Sequence, residues 1–184
     1  MSELYEYWNA HYLAAARTAF PEITGRHKLA VGWKLTNLDG TTHGGYYWPL
    51  VNGDHDLPVL HQADNWKPTN LESCPSQPGD GLCLIPQGQP VREAMSGGCR
   101  FTSAIGHVLV YPTGLSLGSL DKKRAPWVID VDCFKPAEAL AMLAKFTKGA
   151  DLSRADLSGA NLYGATYGQG TLWPVGFDFK AATA

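Results

Sequence analysis

The sequence predicts an α+β fold, a small mixed or antiparallel sheet with flanking helices, followed by a short C-terminal β-coil. Segments of helical and of strand periodicity are mixed along the first 146 residues, which is typical of α+β domains. Hydrophobic residues make up 45% of the 184 residues and charged residues 17%, so the chain can bury a core. From residue 147 the period changes to five. We therefore predict an α+β domain over 1–146 and a repeat coil with its tail over 147–184.

The N-terminal part is predicted to contain a helix and a β-hairpin. Residues 2–19 combine a serine N-cap with apolar side chains at helical spacing, and Pro21 marks the end of this helix. In residues 31–36, Val31, Trp33 and Leu35 alternate with Gly32, Lys34 and Thr36, which indicates a strand. Asp39-Gly40 is a strong turn signal, because glycine accepts a positive φ. The return strand is predicted over 45–50.

Residues 51–80 are rich in Pro, Asn, Asp and Gly and show no periodicity. They predict a long irregular loop, and such loops are often functional. His55, Asp56, His61 and Asp64 fall in this loop, but no regular spacing brings them together. We therefore expect a solvated loop, with no metal and no cofactor.

Later segments complete the predicted sheet. Short apolar runs at 81–86, 106–112 and 125–132 predict three further strands. Helices are predicted over 88–98 and 136–146, the second because it starts with proline and carries an apolar stripe. A turn-rich segment with a basic triplet connects the last two strands.

The C-terminal segment repeats every five residues. Large apolar side chains recur at every fifth position, and a small residue stands two positions before each. This period fits neither a helix nor a plain strand, but it fits a square coil in which five residues form one side. Such repeats bury a core only by stacking on their neighbours. The predicted core of the coil consists of Leu152, Leu157, Leu162, Tyr167, Leu172 and Phe177.

This segment resembles the pentapeptide-repeat family, whose pattern is A-(D/N)-L-x-x. The pattern is closely matched at residues 150–152, 155–157 and 160–162. It is looser afterwards, where the Asp/Asn position is occupied by Thr166, Thr171 and Gly176. The resemblance covers about thirty residues and implies a β-coil, whereas the roles of the family are diverse.

Some members of that family protect DNA gyrase by imitating a DNA duplex. Six repeats make only about one and a half square turns, which is too short for such a rod. Lys148 and Arg154 also stand beside the acidic residues of the coil. We therefore expect a coil that caps the main domain or provides a docking or self-association surface.

Two segments carry residue types suited to an anion. Residues 96–100 (SGGCR) can present backbone N–H groups, although they lack the spacing of a nucleophile elbow or a P-loop, and a helix end is the alternative. Residues 122–124 (KKR) can bind phosphate or an acidic partner, with a solvated turn as the alternative. A Cys99–His107 pair can activate a thiolate, but nothing indicates that the two meet. The predicted ligand-binding residues are Arg92, Ser96, Arg100, Lys122, Lys123 and Arg124.

The main domain is also similar to small proteins of actinobacterial phages and their hosts, which have no assigned activity. The segments that carry this similarity are Trp33–Gly40, Gly79–Cys83, Ser96–Gly98 and Lys122–Val131. The similarity implies a biological setting and no particular chemistry.

These observations predict a non-catalytic intracellular binding protein, a phage or mobile-element accessory protein that engages a host macromolecule. Aromatic residues reach 11% without a convergent acid–base set, which favours binding over catalysis. The alternatives are a small enzyme or binder for a nucleotide-like ligand of the ADP-ribose or NAD type, and a structural oligomerisation module.

The expected partner is a host protein, with homo-oligomerisation through the coil as a further option. A net charge of −2 and a pI near 6.3 give no reason to expect nucleic acid or an anionic membrane. The first twenty residues lack the features of an export signal, so a cytoplasmic location is expected.

Overall fold

A computed structural model describes residues 2–37, 39–41, 57–69, 71–72, 79–87, 104–120, 122–134, 173, 176 and 178. These residues form an antiparallel sheet of six strands with two helices, so the predicted α+β class is confirmed. The elements are α1 (Ser2–Ala19), α2 (Pro21–Thr24), β1 (Leu29–Asn37), β2 (Val59–Gln62), β3 (Leu82–Pro86), β4 (Ala104–Pro112), β5 (Lys123–Ala125) and β6 (Trp127–Phe134). The order of strands across the sheet is β2-β6-β4-β1-β3-β5.

The chain divides into two compact units. Unit 1 comprises Met1–Lys34, Val51–Gln87 and His107–Cys133. Unit 2 comprises Leu35–Leu50, Gly88–Gly106 and Phe134–Ala184. Most of the described residues belong to unit 1, which carries the clusters discussed below. The proposed domain boundary at residue 146 stays a prediction.

Helix α1 spans the residues predicted to be helical. Tyr12 and Ala16, four positions apart, lie on its buried side, whereas Arg17 and Thr18 are exposed. Pro21 follows the helix as predicted and also begins the short helix α2, since proline suits a first helical turn. Neither described helix is long and apolar enough to cross a membrane.

Strand β1 is central, between β4 and β3, and is covered on both faces. Trp33 is buried, as the alternation of apolar residues along this segment predicts. Gly32 and Thr36 on the opposite face are buried too. Gly32 pairs with Pro86 of β3. A Cβ at position 32 would lie 2.6 Å from Leu84 Cδ1 and 2.8 Å from the Ile85 carbonyl oxygen. Glycine is therefore what lets β3 approach β1 so closely.

The turn predicted after β1 is present. Gly40 has φ 78°, and its amide donates a hydrogen bond to the Asn37 carbonyl at 2.9 Å. Asp39 Oδ1 accepts hydrogen bonds from the amide and the hydroxyl of Thr41, at 2.9 and 2.6 Å. The predicted return strand over 45–50 lies outside the described residues.

The prediction of one irregular loop over 51–80 is wrong at Val59–Gln62, which forms β2. This strand is antiparallel to β6, with Val59 opposite Asp130 and His61 opposite Val128. It spans only four residues between Pro58 and the turn that follows, so it is too short for periodicity to reveal it. His61 consequently lies in the core, with 5% of its surface exposed.

The remaining strand predictions are confirmed by β3, β4 and β6, while β5 occupies part of the segment predicted as a turn. The predicted helices over 88–98 and 136–146 lie outside the described residues. The same holds for the predicted coil core, Leu152, Leu157, Leu162, Tyr167, Leu172 and Phe177.

Helix α1 is attached to the sheet through Tyr12. Its hydroxyl donates a hydrogen bond to Asp132 Oδ2 of β6 at 2.9 Å. Asp130 stands two residues earlier in the same strand, so both carboxylates are on one face of the sheet. The helix therefore lies on the face that carries Asp130.

We expect Tyr12→Phe to lower the free energy of unfolding by about 1.5 kcal/mol, because it removes a hydrogen bond to a carboxylate and keeps the ring. Urea denaturation followed by circular dichroism measures this change. Thr18→Ala, on the exposed side of the same helix, serves as control and should stay within about 0.5 kcal/mol. Equal stability of Tyr12→Phe and the native chain would contradict the role given to this bond.

Candidate functional site

Three histidine and aspartate side chains form a buried line across unit 1, the histidine row, made of His61, Asp130 and His107. They belong to β2, β6 and β4, which are neighbours in the sheet. Asp130 Oδ2 lies 2.7 Å from His107 Nδ1 and 4.0 Å from His61 Nε2. All three side chains are buried. One carboxylate thus stands between two imidazoles in the core.

Burial controls the protonation of this row. It lowers the pKa of His61 below the ordinary 6.5, an effect that the Asp130 carboxylate opposes and nearby His107 reinforces. On α1, burial together with the charge of Asp132 raises the pKa of Tyr12, so its phenol stays protonated and can donate. Asp130 Oδ1 has no hydrogen-bond partner among the described residues.

The row has the components of acid–base chemistry without access to a substrate. A histidine hydrogen-bonded to a carboxylate is the arrangement of a general base. However, His107 and Asp130 have no exposed surface, so no ligand reaches them in this conformation. The part of the chain that the structure describes contains no group of three or more His, Cys, Asp or Glu able to hold a metal ion. Cys99, the predicted partner of His107, lies outside that part.

A second cluster, the arginine anchor, surrounds the fully buried Arg124 side chain. Its Nη1 donates to the carboxylate and to the carbonyl of Asp80. Its Nε donates to the Glu72 carbonyl at 3.2 Å, and its Nη2 to the Lys67 carbonyl at 3.3 Å. The guanidinium carbon lies 4.6 Å from the centre of the Trp66 ring, a cation–π distance. The guanidinium is therefore paired in charge and bonded at all three nitrogens.

The arginine anchor connects two loops to the sheet. Arg124 belongs to β5, where it pairs with Cys83 of β3, and its backbone also bridges to Leu117. Asp80 Oδ1 accepts a further hydrogen bond from the Lys67 amide at 2.8 Å. The described residues of the 63–80 loop are therefore attached to β5, although the sequence predicts a solvated loop.

The structure places the basic triplet in three different environments. Arg124 points into the core, where its guanidinium is bonded within the protein. The Lys123 ammonium donates to the Gly118 carbonyl at 3.1 Å, and Lys122 is half-exposed. The side chains of Lys123 and Arg124 point to opposite faces, because β5 is a strand. Ligand binding stays a prediction for Lys122, Lys123 and Arg124. It stays a prediction also for Arg92, Ser96 and Arg100, which lie outside the described residues.

The histidine row and Asp80 were not among the predicted site residues. His107 and Asp130 each interrupt an apolar strand at a position whose neighbours are buried. Because buried polar groups in proteins are paired, two such interruptions could have indicated a His–Asp contact. No comparable signal marks His61 or Asp80, since both stand in segments rich in loop residues.

Exposed leucines occur on the two loops that the arginine anchor holds. Leu71 is 73% exposed, Leu115 39% and Leu120 81%. Leu71 precedes Glu72, whose carbonyl binds Arg124, and the other two flank Leu117, which pairs with Arg124. We call these three leucines, together with the charged loop residues Asp64, Lys67, Glu72 and Lys122, the loop surface.

Comparison with known families gives one match. Residues 148–166 match the family model described as Pentapeptide repeats (8 copies). This confirms the predicted repeats from Ala150 to Ala165, whereas Tyr167, Leu172 and Phe177 lie beyond the match. Comparisons with curated proteins and with solved structures gave no match.

We expect Arg124→Lys to lower the free energy of unfolding by about 3 kcal/mol, because a lysine leaves Asp80 poorly compensated and loses the bonds to Lys67 and Glu72. Urea denaturation measures the loss. Lys122→Arg, a conservative exchange two residues away at the surface, should change stability by no more than about 0.5 kcal/mol. If Arg124→Lys were as stable as this control, the anchoring role would be wrong.

We also expect Gly81→Ala to lower the free energy of unfolding by about 2 kcal/mol. Gly81 has φ 99°, and a Cβ there would overlap Arg124 Cγ and lie 2.8 Å from the Trp66 ring. Gly114→Ala is the matched control, since a Cβ at that position meets nothing within 4 Å. Thermal denaturation should show a clearly lower melting temperature for Gly81→Ala and an unchanged one for Gly114→Ala. Similar decreases in both variants would contradict the prediction.

Proposed function

We propose that this protein is a non-catalytic binding protein that engages a host protein through the loop surface. The observation that carries the proposal is the arginine anchor, which fixes two loops while Leu71 and Leu120 remain 73% and 81% exposed. Loops held by a buried ion pair lose little conformational entropy on binding. Contiguous exposed apolar patches mark protein-interaction sites, and we propose that Leu71 and Leu120 belong to one such patch.

The two buried clusters support binding over catalysis. The histidine row is enclosed, and Arg124 is used inside the fold. A nucleotide-like ligand at residues 122–124 would therefore be left with the two lysines as cationic contacts. This weakens the alternative of a small enzyme or binder for an ADP-ribose or NAD-type ligand.

The charges of the loop surface favour a protein partner over nucleic acid. Lys67 and Lys122 are accompanied by Asp64 and Glu72, so these side chains carry no net excess of one sign. Nucleic-acid binding depends on a concentrated basic patch. We therefore assign most of the affinity to the leucines, and we propose a partner segment whose apolar side chains cover Leu71 and Leu120.

The biological setting is part of the same proposal. A role as a phage or mobile-element accessory protein rests on the four sequence segments named above, and a cytoplasmic location rests on the N-terminal sequence. The family match over 148–166 supports a repeat coil that provides a second contact or a site of homo-oligomerisation.

We expect the double variant Leu71→Ser/Leu120→Ser to lose partner binding by at least about tenfold while its melting temperature stays unchanged, since both side chains are in water. The full-length chain is immobilised and the proteins captured from a host lysate are quantified by mass spectrometry. The relevant partner is one whose recovery falls with this variant and persists with Ala10→Ser/Ala14→Ser, which alters exposed alanines of α1.

Titration of the purified partner against the native and variant chains then measures the dissociation constants. Equal affinity of both chains would show that the loop surface is not the binding site. Capture of nucleic acid or lipid vesicles with the same leucine dependence would contradict a protein partner.

A further inference from the structure

The turn between α2 and β1 presents three basic residues, Arg26, His27 and Lys28, which we call the basic turn. Arg26 and Lys28 are exposed, and His27 is half-exposed. The ion pairs of the described residues include neither cation, and the exposed Glu22 of α2 is the nearest acidic residue in sequence. Two positive charges therefore stand in solvent, two residues apart, without a carboxylate among the described residues to neutralise them.

The backbone of the basic turn is held at both of its ends. The His27 amide donates a hydrogen bond to the Thr24 carbonyl at 3.3 Å, and the His27 ring lies 5.7 Å from the ring of Trp127. The Lys28 carbonyl accepts hydrogen bonds from the amide and the hydroxyl of Thr113, at 2.9 and 3.2 Å. A backbone that is fixed in this way loses little conformational entropy when its side chains bind a partner.

The basic turn borders the loop surface. Thr113, which binds the Lys28 carbonyl, opens the loop that carries Leu115 and Leu120. Leu115 stands two residues after Thr113 and is 39% exposed. The loop is therefore attached to the basic turn at its start and to Arg124 at Leu117, so a partner that covers its leucines also meets the two cations.

The number of cations indicates the class of partner. Proteins that bind a nucleic-acid backbone strongly make about 6–10 phosphate contacts, and Arg26 and Lys28 supply only two cations. The exposed carboxylate of Glu22 would further repel a run of phosphates. Two neighbouring cations beside exposed leucines are instead matched by one or two carboxylates in a polypeptide that also carries apolar side chains.

We infer that the segment of the partner protein that binds this chain is acidic as well as apolar: its carboxylates lie against Arg26 and Lys28 while its apolar side chains cover the loop surface. This inference rests on the proposed function and adds the chemical class of the partner segment. The leucines supply most of the affinity, and the basic turn selects acidic segments among apolar ones.

Fluorescence anisotropy with a labelled copolymer of glutamate and tyrosine tests this specificity on the full-length chain. The native chain should bind the copolymer at about 50 mM NaCl, and Arg26→Gln/Lys28→Gln should bind it at least about fivefold more weakly, a difference that disappears at about 500 mM NaCl. Arg26→Gln alone should lose about threefold, whereas Arg17→Gln, which removes one exposed positive charge from α1, should stay within about twofold of the native affinity.

Three results would overturn the inference. The first is a native chain that does not bind the copolymer, and the second is equal affinity of the native chain and the Arg26→Gln/Lys28→Gln variant. The third is a single-stranded oligonucleotide that binds more tightly than the copolymer with the same dependence on Arg26 and Lys28, since it would identify a nucleic-acid partner.

Poly-L-glutamate, which carries charge and no apolar side chain, separates this inference from the proposed function. Leu71→Ser/Leu120→Ser should bind poly-L-glutamate as the native chain does, and Arg26→Gln/Lys28→Gln should bind it more weakly. Equal binding by all three chains would overturn the acidic specificity and leave the loop surface unaffected. If the leucine variant retains its partner in the lysate experiment, the loop surface fails, whereas the dependence of poly-L-glutamate binding on the basic turn persists.

Discussion

The ion pair between Arg124 and Asp80 is the interaction on which the architecture of unit 1 depends. A guanidinium without exposed surface is stable only when its charge and its hydrogen-bond donors are matched, and here Asp80, Glu72 and Lys67 provide the acceptors. The acceptors come from a segment far away in sequence. Satisfying one buried cation therefore determines the path of that segment over β5.

The two polar clusters of unit 1 differ in their balance of charge. The arginine anchor combines one permanent cation with one carboxylate. The histidine row combines one carboxylate with two imidazoles. The first is suited to holding two loops in place. Both clusters follow the same rule, that a buried charge requires a partner.

Most of the described fold could be predicted because its elements are long and periodic. α1 shows helical apolar spacing along its length and β1 shows strand alternation, whereas β4 and β6 are revealed by short apolar runs. β2 could not be found in this way, because four residues in a loop-like context carry no measurable period. Arg124 looked like Lys122 and Lys123 in sequence, since only tertiary packing decides which member of a basic run turns inward. Apart from the contact between His107 and Asp130, the histidine row could not be assembled, because its contacts join three strands through register.

Gly32 has a consequence for recognising relatives of this chain. The close approach of β3 leaves no room for even a methyl group at this position. A homologue that preserves the pairing of β1 with β3 must therefore keep glycine opposite Pro86, or shift one strand against the other. The residue that aligns with Gly32 therefore indicates whether a distant sequence keeps the same pairing of β1 with β3.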